Sequence, residues 1–337
     1  LFTGHFFILR KSVCIWNCGF FYMEKPKTLF LKKGSDAKMN PTGSLLEQTA
    51  AFAQKEGIRL YRVAEILDGN LRSVQLCPAN VCNDCYSVSK SFTATAAGIL
   101  IDHGLLRLQE SVAAVLEDLV PAPYREFWKT VTIADVLRQT VGIDHGFLDI
   151  DTDDIHAFGT DDFLWKVLSE PAPLPPGSRM VYSDSNYYLM SRIVSRRAGM
   201  ELEPFLQREV FAPLQFQGQA WAKCPHGFSM GATGLFVRTD DMARFGQLYL
   251  QDGIWNGRRI FSEAWARLAT RPHTRCDNGR TYGYGFWPQE EDAFRCDGMF
   301  GQAVIISRRC PRVLAWTAFD AEGKIGTLLQ AVDRWNR

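Results

Sequence analysis

Ser87 and Lys90 stand three residues apart in the run Ser87-Val88-Ser89-Lys90. On a helix this spacing puts a hydroxyl and an amine on neighbouring parts of one face. The first helical turn also offers unpaired backbone N–H groups and the positive end of the helix dipole, both favourable to an oxyanion. A half-buried lysine gives up its proton more easily, because removal from water disfavours the ammonium. It then accepts the serine proton without a histidine, the chemistry of an activated nucleophile. The spacing alone decides nothing, since 17 serines and 12 lysines in 337 residues supply roughly 0.6 such pairs by chance. A second pair, Ser35 and Lys38, is indeed present. Ser35 follows a lysine-rich polar stretch, with Gly34 before it and Pro41 just beyond, whereas Ser87 opens an apolar helical run, Phe92 to Leu100. From these residues alone the plainer reading, an N-cap serine beside an exposed lysine, is favoured.

Other chemistry is thinner. Cys77, Cys82 and Cys85 follow C-x4-C-x2-C, the spacing of the first three ligands in plant-type iron–sulfur proteins. The next cysteine is Cys224, so three thiols in and beside a loop are the main reading and an iron–sulfur or zinc site the minor one. Nine cysteines without regular spacing read as mostly free thiols in a reducing compartment. His145 and His156 flank Asp144, Asp149, Asp151, Asp153 and Asp154. Without tight His/carboxylate spacing on one element this is a solvated loop rather than a metal site. No cofactor is expected.

The elements that must position Ser87 follow from patterning. Thr42 or Ser44 caps a helix carrying Leu45, Leu46, Ala50, Ala51 and Phe52, stopped near Gly57. Arg59 to Glu65 and Ser73 to Leu76 read as strands around Asp68-Gly69-Asn70. Helices follow from Ser87 to His103, from Ser185 to Arg197 and from Thr239 to Leu250, with a capping box at Thr132 and Asp135. Tyr282 to Trp287, Ala293 to Cys296, Ala303 to Ser307 and Val313 to Phe319 read as late strands, before a last helix from Thr327 to Trp335. Strands at both ends with helices between them predict an α/β sheet domain, residues 39–100 and 228–337, with a helical domain, 101–227, inserted. Residues 1–38, aromatic-rich and without an uninterrupted apolar core, read as an appendage that is not a signal peptide.

Apolar types make up 46% and charged types 22%, and 38 basic against 37 acidic residues leave a net charge of +1. That balance argues against nucleic-acid and anionic-membrane partners. No apolar run is long enough to span a bilayer, so a cytoplasmic location is expected. Oligomeric state is not legible.

The segment from Tyr86 to Leu106 (YSVSKSFTATAAGILIDHGLL) resembles the nucleophile helix of the β-lactamase-related serine hydrolases. That family includes class C β-lactamases, D-alanyl-D-alanine carboxypeptidases and esterases. The resemblance continues in order through Thr132 to Gly142 (TIADVLRQTVG), Pro176 to Asp184 (PGSRMVYSD), and Gly231 to Leu235 (GATGL) with Asp241 to Gln247 (DMARFGQ). It ends at Gly298 to Gln302 (GMFGQ) and covers roughly Asn40 to the C-terminus. It implies an α/β (α+β) fold, an antiparallel sheet flanked by helices with an inserted mostly helical domain. It further implies Ser87 as the acylated nucleophile, Lys90 as its partner, and Tyr182 as a proton shuttle whose phenol pKa Lys90 lowers. The backbone N–H groups of Ser87 and Met299 would form the oxyanion hole, with Gly298 letting substrate approach closely.

Two departures from the family restrict the expected substrate. The second motif, Tyr182-Ser183-Asp184, has Asp in place of the usual Asn, an acceptor-only anion for an amide. The third motif reads Cys296-Asp297-Gly298, without the Lys and Thr that meet a carboxylate, and Asp297 adds repulsion. Lys324-Ile325-Gly326 is a literal match beyond the last strand and reads as a helix cap. Trp287 and Tyr284 are pocket-lining candidates, and Cys296 would lie close to Ser87, open to thiol reagents. The expected enzyme is a serine hydrolase acting on a neutral or cationic small-molecule ester or amide, or a peptide-like substrate, rather than an efficient β-lactamase. The alternative is a binding protein of the same fold that has lost turnover.

Overall fold

The computed structural model describes residues 44–290 and 292–335. The appendage reading of residues 1–38, the Ser35–Lys38 pair and the Thr42 cap lie outside the described residues. In chain order the elements that frame the site are helix α1 (Leu45–Glu56), strands β1 (Leu60–Leu67) and β2 (Asn70–Gln75), and helices α2 (Ser89–Asp102), α3 (Asp184–Ala198) and α4 (Thr239–Leu250). Strands β3 (Trp287–Pro288), β4 (Ala293–Gly298), β5 (Gln302–Ser307) and β6 (Arg312–Ala318) and helix α5 (Ile325–Trp335) complete them.

The six strands form one antiparallel sheet in the order β3-β4-β5-β6-β1-β2. The sheet joins the two ends of the chain where β1 pairs with β6, Val63 opposite Trp316. Side chains alternate across the pleat, so β5, β6 and β1 each serve two cores. Leu314 and Trp316 pack with Leu45, Ala53, Leu328 and Val332 of α1 and α5, while Val313 and Ala315 face the larger core that contains α2 and α4. Between Asp102 and Gly234 the described residues carry helices, loops and one two-residue strand, Ala220–Trp221.

Several elements differ from the sequence reading. Ser44 does not cap α1 with its own side chain; its hydroxyl donates to the buried Glu65 carboxylate at 2.5 Å, which also accepts from the Leu45 N–H at 3.0 Å. The stretch expected as one strand from Tyr282 to Trp287 splits into Thr281–Tyr282 and Trp287–Pro288. Gly283 and Gly285 break it because they let the chain tuck under its neighbours. A Cβ at Gly285 would meet the Lys90 carbonyl and Ser91 Cα at 3.0 Å, and the Ser91 hydroxyl donates to the Gly285 carbonyl at 2.5 Å. The capping box at Thr132 and Asp135 is present as expected.

Helix α2 is buried over nearly its whole length, from Ser89 to Leu100. It starts after a tight 3-10 turn, Tyr86–Val88, that follows the short strand Asn83–Asp84. That strand pairs with Leu235–Val237, which pairs in turn with Ala220–Trp221. The Asp84 carboxylate accepts the Tyr86 N–H at 2.7 Å. Burial pushes the Asp84 carboxyl up to about 7, with the charges of Asp151 and Asp184 adding to the rise and the backbone N–H groups of Tyr86 and Gly234 opposing it.

Gly98 sits where the Trp265 ring crosses α2, and an added Cβ would fall 2.1 Å from that ring. Gly98→Ala is therefore expected to lower stability by about 1–3 kcal/mol through overpacking, read from the urea midpoint; an unchanged midpoint would show that the ring yields freely. Asp84 sets a pH dependence. Its folded pKa lies above its unfolded value near 3.8, so its stabilising contribution is complete below that value and is lost as pH rises through about 7. Asp84→Asn keeps the acceptor oxygen and removes the titration. Its stability relative to wild type is expected to improve between about pH 4 and 7 and to level off above that in chemical denaturation, and a constant difference would assign the titration elsewhere.

Candidate active site

Lys90 is the hub. Its side chain is 1% exposed, and its ammonium donates to Ser87 Oγ at 2.8 Å, Asp184 Oδ1 at 2.6 Å and the Ala232 carbonyl at 3.1 Å. Three donors meet three acceptors, which is the full capacity of the group. The acceptors come from three places: the turn before α2, the first residue of α3, and the loop from Gly231 to Gly234. That loop is stitched to α2 by Thr93 Oγ1 donating to the Gly231 carbonyl at 2.7 Å and by the Leu235 N–H donating to Ser89 Oγ at 3.4 Å. Gly231 has φ +70° and a Cβ there would strike the Tyr187 carbonyl at 2.5 Å, so glycine is needed for both its angle and its contact.

Tyr182 and Asp184 are delivered together. Ser183 caps α3, its N–H bound to Gln139 Oε1 at 2.6 Å, while the Gln139 carbonyl accepts from Val181 at 3.0 Å. The Lys90 ammonium lies 4.8 Å from the Tyr182 ring centroid. Trp287 stacks on the Tyr182 ring at 5.8 Å, and Tyr282 meets it edge-on. Tyr182 as a residue is 39% exposed, yet its hydroxyl lies inward at Ser87. Burial of the hydroxyl and then the charge of Asp184 raise the phenol pKa, with the Ser87 hydrogen bond and Arg280 opposing. This corrects the expected direction: Tyr182 is held neutral.

The substrate-facing roles expected of four residues also change. Asp184 is 9% exposed and paired with Lys90 at 2.6 Å. Burial raises its carboxyl pKa, and the adjacent ammonium works against that rise. Asp297 is neutralised by Arg280 at 3.0 Å and Arg295 at 3.2 Å, so the expected repulsion of anions is absent. Cys296 is 1% exposed because strand parity turns it to the core, and burial pushes its thiol up to about 12. Tyr284 is likewise core, stacked on His273 at 4.0 Å and on Trp265. Trp287 is also buried and reaches the site through its stack on Tyr182.

Gly298 ends β4, and β3 pairs only with Phe294 and Arg295, so among the described residues Cys296 to Gly298 form a free strand edge. A Cβ on Gly298 would lie 2.4 Å from the Cys85 carbonyl oxygen. The close approach expected of a substrate is made first by the chain's own backbone, which brings Met299 alongside the turn that carries Ser87. A cavity of about 390 Å³ lies between this end of the strand and α5, walled by Arg280, Asp297 and Gly298 on one side and Ile325, Leu329 and Asp333 on the other; Ser87, Lys90 and Tyr182 are not in its wall.

Sequence reasoning missed the surroundings of Lys90. Asp149 and Asp151 come within 4.8 Å of Asp184, carboxylate to carboxylate, and Thr233 Oγ1 donates to Asp151. Their one signal was the run of aspartates after Asp144. Arg280 was missed as well; its guanidinium lies 3.8 Å from the Trp287 ring centroid. Among the described histidines, His145 pairs with Asp144 at 3.0 Å and Glu170 at 3.3 Å rather than with Ser87 or Lys90. The sulfurs of Cys77, Cys82 and Cys85 bond to the Leu60 carbonyl, the Gln217 carbonyl and Ser89 Oγ respectively, three unrelated directions that do not favour a shared metal. No described helix is long and apolar enough to cross a membrane.

Comparison with known proteins agrees with this fold. The chain is 27% identical over 249 residues to penicillin-binding protein 4 of Amycolatopsis lactamdurans, covering 64% of this chain and 63% of that protein. It is 29% identical over 159 residues to monacolin J acid methylbutanoyltransferase of Aspergillus terreus, 42% of this chain and 38% of that enzyme. The chain thus spans less than two thirds of either relative. A penicillin-binding protein from Bacillus halodurans has the same fold, with a TM-score of 0.67 at 17% identity over 85% of this chain and 99% of that one. The beta-lactamase family model matches residues 55–318, and the chain belongs to the beta-lactamase family.

Proposed function

We propose that the protein is a serine hydrolase or acyltransferase that works through an acyl-enzyme at Ser87 on a small ester or amide. The observation that carries this reading is the 2.8 Å hydrogen bond between Lys90 Nζ and Ser87 Oγ, with Asp184 at 2.6 Å on the other side of the same ammonium. Burial raises the pKa of the Asp184 carboxyl, which readies it to take a proton from the adjacent ammonium. When the proton shifts from Lys90 to Asp184, the free amine accepts the Ser87 proton as Oγ attacks the carbonyl carbon. The tetrahedral oxyanion rests on the backbone N–H groups of Ser87 and Met299. Tyr182, neutral at working pH, donates its proton to the leaving oxygen or nitrogen and regains one from Lys90. The net effect moves the serine proton to the leaving group. Water then resolves the acyl-enzyme, or an alcohol does so, as the name of the methylbutanoyltransferase relative suggests.

Esters and amides without a β-lactam carboxylate suit the site best, because buried Cys296 supplies no ammonium or hydroxyl at the strand edge. The alternative of a binding protein without turnover has less support, since Ser87, Lys90 and a neutral Tyr182 phenol come together at one point. No nucleic-acid partner is proposed.

A fluorophosphonate probe is expected to label the wild type on Ser87, seen as an adduct by intact mass and peptide mapping. Ser87→Ala should abolish labelling and Ser35→Ala should leave it intact; an adduct persisting in Ser87→Ala would sink the assignment. Thiol reagents provide a separate check on Cys296. Iodoacetamide applied to the native protein is expected to leave Cys296 unmodified and ester turnover unchanged, whereas alkylation at that residue with loss of turnover would place the thiol in the open cleft.

A further inference from the structure

Two residues with left-handed backbone flank the proposed oxyanion donors. Tyr86, with φ +47°, immediately precedes Ser87, and Phe300, with φ +56°, immediately follows Met299. Glycine takes such angles freely, whereas bulky residues rarely do. Residues persist in sparsely populated backbone regions only where their surroundings over-determine them, and such sites cluster where function requires a fixed geometry. Here the surroundings are visible. The rings of Tyr86 and Phe300 meet edge to face, centroids 5.3 Å apart at 69°, the arrangement aromatic pairs prefer.

Each partner is anchored again on its far side. The Tyr86 N–H donates to Asp84 Oδ1 at 2.7 Å. Phe300 stacks on Phe319 at 4.8 Å, and its carbonyl accepts from the Asp320 N–H at 2.9 Å. Between them Gly298 presses on the Cys85 carbonyl, a contact any Cβ would break. The backbone from Cys85 to Ser87 and that from Gly298 to Phe300 are thus held side by side, with the ring contact closing the far end.

We propose that the Tyr86–Phe300 ring pair positions the oxyanion hole, fixing the separation and aim of the Ser87 and Met299 N–H groups. Neither ring is a catalytic residue; both act through the backbone of their neighbours. The proposal rests on the serine-hydrolase reading and adds to it a device that two hydrophobic side chains supply. Donor placement is worth orders of magnitude in rate, so the signature is a loss in kcat without a matching change in KM.

The test uses p-nitrophenyl butyrate turnover by the full chain, with thermal unfolding to follow folding. Tyr86→Ala and Phe300→Ala are expected to lower kcat about tenfold to a hundredfold and leave KM within about twofold. Tyr86→Phe and Phe300→Tyr keep the rings and should stay within about twofold of wild type. The double alanine variant should lose little more than the worse single one, because both remove the same contact. Should Phe300→Ala fail to fold, Phe300→Gly carries the test, since glycine accepts φ +56° without strain. Single variants at wild-type kcat, a change confined to KM, or multiplicative losses in the double variant would each overturn the ring pair. A wild type that neither takes the fluorophosphonate at Ser87 nor turns over the ester overturns the hydrolase reading and this one with it. A labelled wild type with unaffected variants overturns the ring pair alone.

Discussion

The buried ammonium of Lys90 is the constraint around which the rest of the molecule is arranged. A charge removed from water is costly unless every donor finds an acceptor and an opposite charge stands close. Ser87, Asp184 and Ala232 meet that demand from segments 3, 94 and 142 residues away. Each acceptor is itself fixed by something that would otherwise be free to move: a strained turn for Ser87, a helix start for Asp184, a glycine-bounded loop for Ala232. Removing Asp184 would leave a buried charge uncompensated, a situation that costs about 3–5 kcal/mol in proteins generally. The same hydrogen bonds that stabilise the fold here therefore also align the candidate nucleophile.

Charge is distributed unevenly around this hub. Asp84, Asp149, Asp151 and Asp184 gather on one side, and burial lifts the carboxyl pKa of Asp84, Asp151 and Asp184. On the other side Arg280 and Arg295 share Asp297. Between them stands the aromatic wall of Tyr182 and Trp287, with Lys90 near one face and Arg280 near the other. The whole-chain balance of +1 hides this polarity. A neutral Tyr182 suits it, because an additional anion at that point would face Asp184 directly.

Much of the architecture was legible in the sequence because it depends on local periodicity and caps. Helix α4 starts and stops where its apolar pattern does, and the Thr132–Asp135 box forms as its spacing requires. Context also pointed to Ser87, whose sequence leads directly into an apolar helical run that the fold contains as α2. What could not be read depends on long-range contact. Nothing near Asp184 in sequence says that it faces Lys90 rather than a substrate. The single strand expected through Gly283 and Gly285 fails because those glycines serve a close approach to Ala269 and to α2, which has no local signature. Cys296 looked accessible from its motif, but one step of strand parity turns it into the core.

That parity explains how the third motif tolerates Cys296 and Asp297 while its neighbour Gly298 remains. Side chains on β4 alternate between the core and the arginine pair, so changing them alters what the strand edge offers a substrate. The backbone that follows is governed differently. It is fixed by Gly298 lying against Cys85, where any side chain would collide with a carbonyl oxygen, and by the β4–β5 register that pairs Gly298 with Gln302. An oxyanion site made of main-chain N–H groups needs only that register and that contact. Substrate-selecting side chains can therefore diverge on the same strand without disturbing the donors, provided the glycine and the turn after it keep their shape.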